Sequence, residues 1–234
     1  MQEKRYLKWY NKIGYGSGDI AGNVVYAFLT FFVMIYLTDT VGLNSGIVGT
    51  LMAVAKIFDG ISDVIFGALI DKTKTKMGKA RPWMLWPYLG CGVCLFAIFA
   101  IPTSWGLVAK YAFFLIFYVM LNAVFYTANN IAYSALTALI TKNENERVQL
   151  GSVRFVFAFT TSTIIQAVTF GLVEHFGNDA AAWRIVALVY VVIGIISNTI
   201  SVLSMKELPE DENEAKKESR EALFFCATFE FPQN

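Results

Sequence analysis

Six apolar stretches divide this chain, roughly Asp19–Thr38, Gly46–Ile70, Trp83–Ile101, Leu107–Ile140, Phe155–Val173 and Ile185–Met205. A bilayer core of about 30 Å is crossed by about 20 helical residues, so each stretch predicts a transmembrane helix. The fourth is longer than a crossing needs and must tilt or project. Composition agrees, since only 16% of residues are charged, against about 25% in soluble domains. The 20 Phe and 5 Trp suit lipid-facing and interfacial positions. The net charge of +1 argues against a nucleic-acid partner. No cleavable signal peptide is visible in the polar, basic run Met1 to Lys12, so the first apolar helix would serve as the insertion signal.

Lysine and arginine set the expected orientation. They gather before the first helix (Lys4, Arg5, Lys8, Lys12), after the second (Lys72, Lys74, Lys76, Lys79, Arg81), after the fourth (Lys142, Arg147) and in the tail (Lys206, Lys216, Lys217, Arg220). The alternate loops carry almost none. Both termini are therefore expected on the cytoplasmic side of the plasma (inner) membrane, as part of an integral multi-pass protein.

The second stretch holds charges that a lipid-facing helix would not. Lys56, Asp59 and Asp63 fall at steps of three and four, on one helical face. Each charge near the centre of a bilayer costs about 2.5–3.5 kcal/mol on insertion scales, and such residues usually face a protein-lined cavity. One lysine cannot neutralise two carboxylates. The surplus negative charge invites a proton or Na⁺, with hydroxyls such as Ser62 and Thr127 able to complete a shell of hard oxygen ligands. The bland alternative is a buried salt bridge.

Other polar residues lie at helical spacing. Asp19, Asn23 and Tyr26 form a stripe on the first helix. Asn122, Tyr126, Asn129 and Tyr133 form another on the fourth, with Thr127 and Asn130 adjoining. Amides and phenols on one face suit sugar hydroxyls and the apolar side of a sugar ring. The fifth brings Arg154, then Thr160, Thr161, Ser162, Thr163 and Gln166. The bland reading of the hydroxyls is packing, with bonds back to their own helix.

Enzyme chemistry finds no foothold. There is no P-loop, no HExxH and no paired Cys/His metal set. Cys91 and Cys94 form a CxxC inside an apolar run and read as small packing residues. Cys226 is isolated, and His175 reads as a surface residue.

Several motifs occur together. Tyr15-Gly16-Ser17-Gly18-Asp19 precedes the first expected helix, which leaves through Tyr36-Leu37-Thr38-Asp39-Thr40-Val41-Gly42-Leu43. Asp59-Gly60-Ile61-Ser62-Asp63 is followed by Gly67, Asp71 and Gly78-Lys79-Ala80-Arg81-Pro82-Trp83. Asn130-Ile131-Ala132-Tyr133-Ser134-Ala135-Leu136 closes the fourth helix, and Glu146-Arg147 and Arg154 open the fifth. In these features the chain resembles the N-terminal half of the glycoside–pentoside–hexuronide:cation symporters, the major-facilitator branch that includes melibiose permease. The resemblance covers about residues 8–206.

The resemblance implies an all-α membrane fold. Residues 1–206 would form a bundle of six transmembrane helices, the N-terminal half of a major-facilitator fold, as two inverted three-helix repeats. It implies a coupling-cation site at Asp59, Asp63, Ser62 and Thr127, and sugar contacts from Asp19, Asn130 and Arg154. Tyr133, Tyr126 and Asn23 join the sugar contacts through their places on the two polar stripes. Lys56 would stand beside the cation site. Asp71 and Arg81 would join a charge network bracing the basic loop. The function implied is cation-coupled sugar symport by alternating access, with Na⁺ or H⁺ as coupling ion and no further cofactor. The chain departs from melibiose permease at Asn130, Ser62 and Ser134, where that protein has aspartate, asparagine and tryptophan. Melibiose itself is therefore not the expected sugar, and the choice between Na⁺ and H⁺ stays open.

Residues 207–234 read as a charged cytoplasmic linker ending in a truncated or frameshifted tail, or as one piece of a split gene. The expected partners are a sugar, membrane lipid, and a second six-helix half or a second copy. The alternative is a non-transporting membrane fragment or a regulatory half-transporter subunit.

Overall fold

The computed structural model describes residues 5–209, and the expected linker and tail from residue 210 onward, with Cys226, lie outside them. Among the described residues the regular structure is helical. Six continuous helices follow in order: Trp9–Thr40, Ser45–Lys72, Arg81–Phe99, Leu107–Ile140, Glu144–His175 and Ala180–Ser204. They are called the first to sixth helix below.

Five of the six are long and apolar enough to cross a membrane. The second is not among them, so five of the six expected spans are found among the described residues. Its 28 residues reach about 42 Å at 1.5 Å per residue, so length is not the obstacle. The difference is its charge, since Lys56, Asp59 and Asp63 lie inside it.

The helix starts have local causes. Asn44 accepts from the amides of Gly46 and Ile47, Asn143 from that of Glu146, and Asp179 from that of Ala182. Pro82 sits in the first turn of the third helix, where its missing N–H does no harm. The first helix begins at Trp9, not near Asp19, and runs straight through Gly14-Tyr15-Gly16-Ser17-Gly18. Glycine inside a helix costs about 0.5–1 kcal/mol relative to alanine. Here that cost is offset by close packing. A Cβ on Gly18 would stand 2.7 Å from the Tyr133 ring and 2.8 Å from the Ser201 hydroxyl. One on Gly16 would meet Phe157 and Val153 at 2.7 Å.

That close approach makes the first helix the hub. It packs between the fifth and sixth helices, the third packs on the sixth and fourth, and the second packs on the fourth. One core gathers Phe28, Tyr36, Leu95, Phe99, Trp183 and Tyr190, with the Phe28 and Phe99 rings stacked at 4.3 Å. A second core gathers Tyr15, Met84, Tyr133, Leu136, Leu150 and Val202. Cys91 and Cys94 are buried and free, in packing positions, and His175 is exposed. The second helix buries only Val48, Ala55 and Ile70, so most of its surface is uncovered.

Buried polar groups lock the helix pairs. Pro87 interrupts the third helix and lacks the N–H that its turn would use. The Met84 carbonyl in that turn accepts from Asn129 at 2.7 Å and from Asn198 at 2.9 Å. Two glutamates tie loops to the bundle. Glu146 accepts from the amides of Tyr6 and Leu7 and from the Thr141 hydroxyl. Glu207, at the boundary drawn before the charged linker, accepts from the successive amides of Lys79, Ala80 and Arg81 at 2.6, 3.0 and 3.1 Å.

Gly18→Val tests the hub. Crowding of Tyr133 and Ser201 is expected to destabilise the bundle by about 1–3 kcal/mol, the usual range for overpacking. Thermal unfolding of the purified protein in detergent should show a clear fall in Tm, and an unchanged Tm would contradict the packing described.

Candidate functional site

Two side chains far apart in sequence converge on the carboxylate of a third residue. Asp19 lies on the first helix and is buried. Its Oδ2 accepts from the Tyr133 hydroxyl at 2.6 Å and from Arg154 Nε at 3.2 Å. The guanidinium carbon of Arg154 also stands 4.2 Å from the centre of the Tyr133 ring. Tyr15 closes the knot from below. Its ring lies against Tyr133 with centroids 4.6 Å apart, and its hydroxyl donates to the Tyr133 carbonyl. The first, fourth and fifth helices thus meet at a charge-assisted, aromatic-lined cluster. A carboxylate, a guanidinium and a phenol held together offer both acceptors and forked donors to a polyhydroxyl ligand.

The carboxylates of the second helix are differently placed. Lys56 Nζ donates to Asp59 Oδ2 at 2.9 Å, with the side chains 55% and 22% exposed. The other oxygen, Asp59 Oδ1, is buried and has no hydrogen-bond partner. Asp63 is exposed and makes no ion pair among the described residues. Ser62 donates to the Phe58 carbonyl at 2.9 Å, and buried Thr127 donates to the Asn122 carbonyl at 2.9 Å. Each hydroxyl is turned to its own helix by its proton and keeps oxygen lone pairs for a further partner. These charges sit among uncovered apolar side chains, Ile57 at 67% and Val64 at 75% exposed.

The first and fourth helices also share an aromatic pair. Tyr26 and Tyr126 stack with centroids 6.1 Å apart. Tyr26 and Tyr118 are close enough to Lys56 to feel its charge, and Tyr126 is close enough to Asp19 and Arg154 to feel theirs.

The remaining expected site residues fall apart from these groups or serve their own helices. Asn130 is exposed, with no hydrogen bond among the described residues. The Asn23 amide donates back to the Asp19 carbonyl of its own helix at 2.9 Å. Asp71 is exposed and forms no ion pair among the described residues. Arg81 donates to the carbonyls of Val202 and Met77, so the loop is braced through backbone groups and Glu207 rather than through Asp71. The polar stripe read on the fourth helix is not continuous. Met120–Tyr126 is a π-helical turn, and Asn129 beyond it faces the third and sixth helices. Thr163 and Gln166 bond back within the fifth helix. Tyr15 and Glu207 were missed as contributors. Tyr15 sits inside a recognised motif, whereas nothing local to Glu207 marks it.

Residues 14–227 match a family described as MFS/sugar transport protein. The chain is 32% identical over 209 residues to the isoprimeverose transporter of Lactiplantibacillus pentosus, covering 87% of this chain and 43% of that protein. It is 35% identical over 168 residues to the inner membrane symporter YicJ of Escherichia coli (strain K12), covering 72% and 36%. It is 30% identical over 155 residues to the glucuronide carrier protein homolog of the same organism, covering 66% and 34%. The chain spans less than half the length of each of these relatives.

The Asp19–Arg154 contact can be measured by a double-mutant cycle. Asp19→Asn, Arg154→Gln and the double variant are expected to give an interaction energy of about 0.5–3 kcal/mol in unfolding, the range for residues in direct contact. Additive effects would mean that the two side chains do not pair.

Proposed function

Because the chain belongs to the MFS/sugar transport protein family, in its glycoside–pentoside–hexuronide branch, we propose that it forms the six-helix N-terminal half of a cation-coupled sugar symporter. The family is one of transporters, not enzymes. The chain is an integral multi-pass membrane protein of all-helical fold.

One observation carries the coupling. The second helix holds two carboxylates and one lysine on one face, with Asp59 Oδ1 buried and unpartnered and Asp63 unpaired among the described residues. A buried carboxylate oxygen without a partner is costly, and a bound proton or Na⁺ removes that cost. Asp59 and Asp63 are the charged ligands of the ion, and the Ser62 and Thr127 oxygens supply neutral ligands.

Asp19, Tyr133 and Arg154 are the core of the sugar site, with Tyr126, Asn130 and Asn23 around them. Ligand hydroxyls would compete for donors and acceptors that now serve one another. The uncovered face of the second helix supports a partner there, because its charges cannot face lipid cheaply. That partner is a second six-helix half or a second copy of the chain. Alternating access would move the two halves about the shared site.

The packing supports two three-helix repeats. The first helix lies between the fifth and sixth, the fourth lies between the second and third, and the third meets the sixth. Exchanging the first three helices with the last three leaves this pattern unchanged. The basic loops support cytoplasmic termini.

Binding tests the reading directly. Purified chain, alone and supplied with a segment completing its relatives' length, is titrated with a panel of glycosides, pentosides and hexuronides. Affinity for the recognised sugar should rise at least about 5-fold on adding the coupling ion, the lower end of typical linkage. With H⁺ as the ion, affinity should weaken as pH rises; with Na⁺, it should recover on adding Na⁺ at fixed pH. Asp63→Asn should remove the dependence, and Asp63→Cys should abolish accumulation against a gradient in the completed protein. A protein that binds no sugar in either form would be a non-transporting fragment or regulatory subunit.

A further inference from the structure

The fourth helix runs unbroken from Leu107 to Ile140, but its hydrogen bonding changes step in the middle. Met120–Tyr126 is π-helical, with α-helix on both sides. A π turn places one extra residue in the helix and leaves carbonyls out of step with the usual i to i+4 ladder. Two buried side chains cover them here. The Asn122 amide donates to the Tyr118 carbonyl at 2.9 Å, and the Thr127 hydroxyl donates to the Asn122 carbonyl at 2.9 Å. The Thr127 backbone N–H bonds the same Asn122 carbonyl, across five residues. Asn122 thus takes part on both sides of the turn, as donor through its side chain and as acceptor through its backbone.

The position of the turn matters. The second helix packs along it. Tyr118, whose carbonyl Asn122 holds, is close enough to Lys56 and Asp59 to feel both charges. Beyond the turn, the α-helix carries Tyr133 to Asp19. The extra residue therefore sets the angle between the half of the helix beside the carboxylates of the second helix and the half that reaches Asp19. Losing it would turn residues 128–140 by about 100°, one residue's worth of α-helix, relative to residues 107–119. Tyr133 would then point away from Asp19.

We propose that Asn122 is a positioning residue that holds the π turn open and so keeps the cation-facing and sugar-facing halves of the fourth helix in register. The coupling part of this inference rests on the symporter reading; the register part does not. Binding at the second helix bears on the segment that Asn122 braces, and the braced segment sets where Tyr133 stands.

The test uses Asn122→Ala, which removes the amide and favours the ordinary helix, and Asn122→Ser, whose hydroxyl can bond back to the Tyr118 carbonyl. Asn122→Leu, closer in volume, serves if the alanine variant does not fold. Register is read by thiol alkylation of single cysteines from 128 to 138 in purified protein in detergent. In the parent, positions 128, 132 and 136 should be protected and 130 and 134 reactive, following their burial. In Asn122→Ala the pattern should move by one residue, and in Asn122→Ser it should not. An unmoved pattern in both the alanine and leucine variants would overturn the proposal. In the same preparations, the cation-induced gain in sugar affinity should fall from at least about 5-fold to near 1 with the alanine variant and return with serine. A moved register with full linkage would overturn the coupling part. A parent that shows no cation-linked sugar binding would defeat the symporter reading alone and leave the register result to decide Asn122.

Discussion

The close approach of the first helix to its neighbours is the constraint on which the rest of this structure depends. Glycine at 14, 16 and 18 removes the side chains that would hold the fourth, fifth and sixth helices away. Each glycine costs about 0.5–1 kcal/mol of helix stability. In lipid there is no hydrophobic drive between helices, so contact at small residues and interhelical hydrogen bonds must hold them together. The tyrosine knot shows both effects. The Tyr133 ring lies only 2.7 Å from where a Cβ on Gly18 would stand, and from there its hydroxyl reaches both the Tyr15 carbonyl and Asp19. Burying a charged carboxylate costs free energy unless it is paired and hydrogen-bonded. The contacts from Tyr133 and Arg154 offset this only because the backbones are so close.

The two acidic clusters are physically unlike. Asp19 is closed, with a phenol and a guanidinium already on one of its oxygens. The carboxylates at 59 and 63 are short of partners, with one lysine, itself 55% exposed, against two negative groups. That contrast suits two kinds of ligand. A large neutral ligand is recognised by groups held in fixed positions. An exchangeable ion needs a site that is short of charge but not strongly so. Millimolar binding corresponds to only about 4 kcal/mol, and a carboxylate fully satisfied by its own lysine and hydrogen bonds would leave an ion little to gain.

Much of this was legible from the sequence, and the illegible part has a physical pattern. Apolar length located the helices, and the three-residue step from Lys56 to Asp59 placed the two on one face, because both are local properties. Whatever depends on contacts between distant segments was not visible. The helix start at Trp9 is hidden because glycines look like breakers until the residues packed on them are known. The roles of Glu146 and Glu207 are hidden because they bind backbone amides, which leave no mark in a side-chain pattern. The stripe from Asn122 to Tyr133 was read at the α-helical period, and one π turn is enough to break it. The convergence of Asp19, Tyr133 and Arg154 lies beyond any spacing rule. Only the family resemblance suggested Asp19 and Arg154 as sugar contacts.

The second helix brings these themes together. Its ends are fastened. The Asn44 amide at its start donates to the Tyr111 hydroxyl, and Thr73 just past its end accepts from the Trp83 indole at 2.8 Å. The following loop is pinned where Glu207 gathers the amides of Lys79, Ala80 and Arg81. Between these anchors it buries only Val48, Ala55 and Ile70, and it leans chiefly on the fourth helix. A helix fixed at its ends and bare along its middle has few packing contacts to hold that middle in place. The carboxylates lie on that bare middle, so a change in their charge acts where resistance is least. The segment of the fourth helix beside them is the π turn, where hydrogen bonding is already out of step. The charge that is hardest to keep in a membrane therefore sits on the least-packed helix, against the π turn of its neighbour.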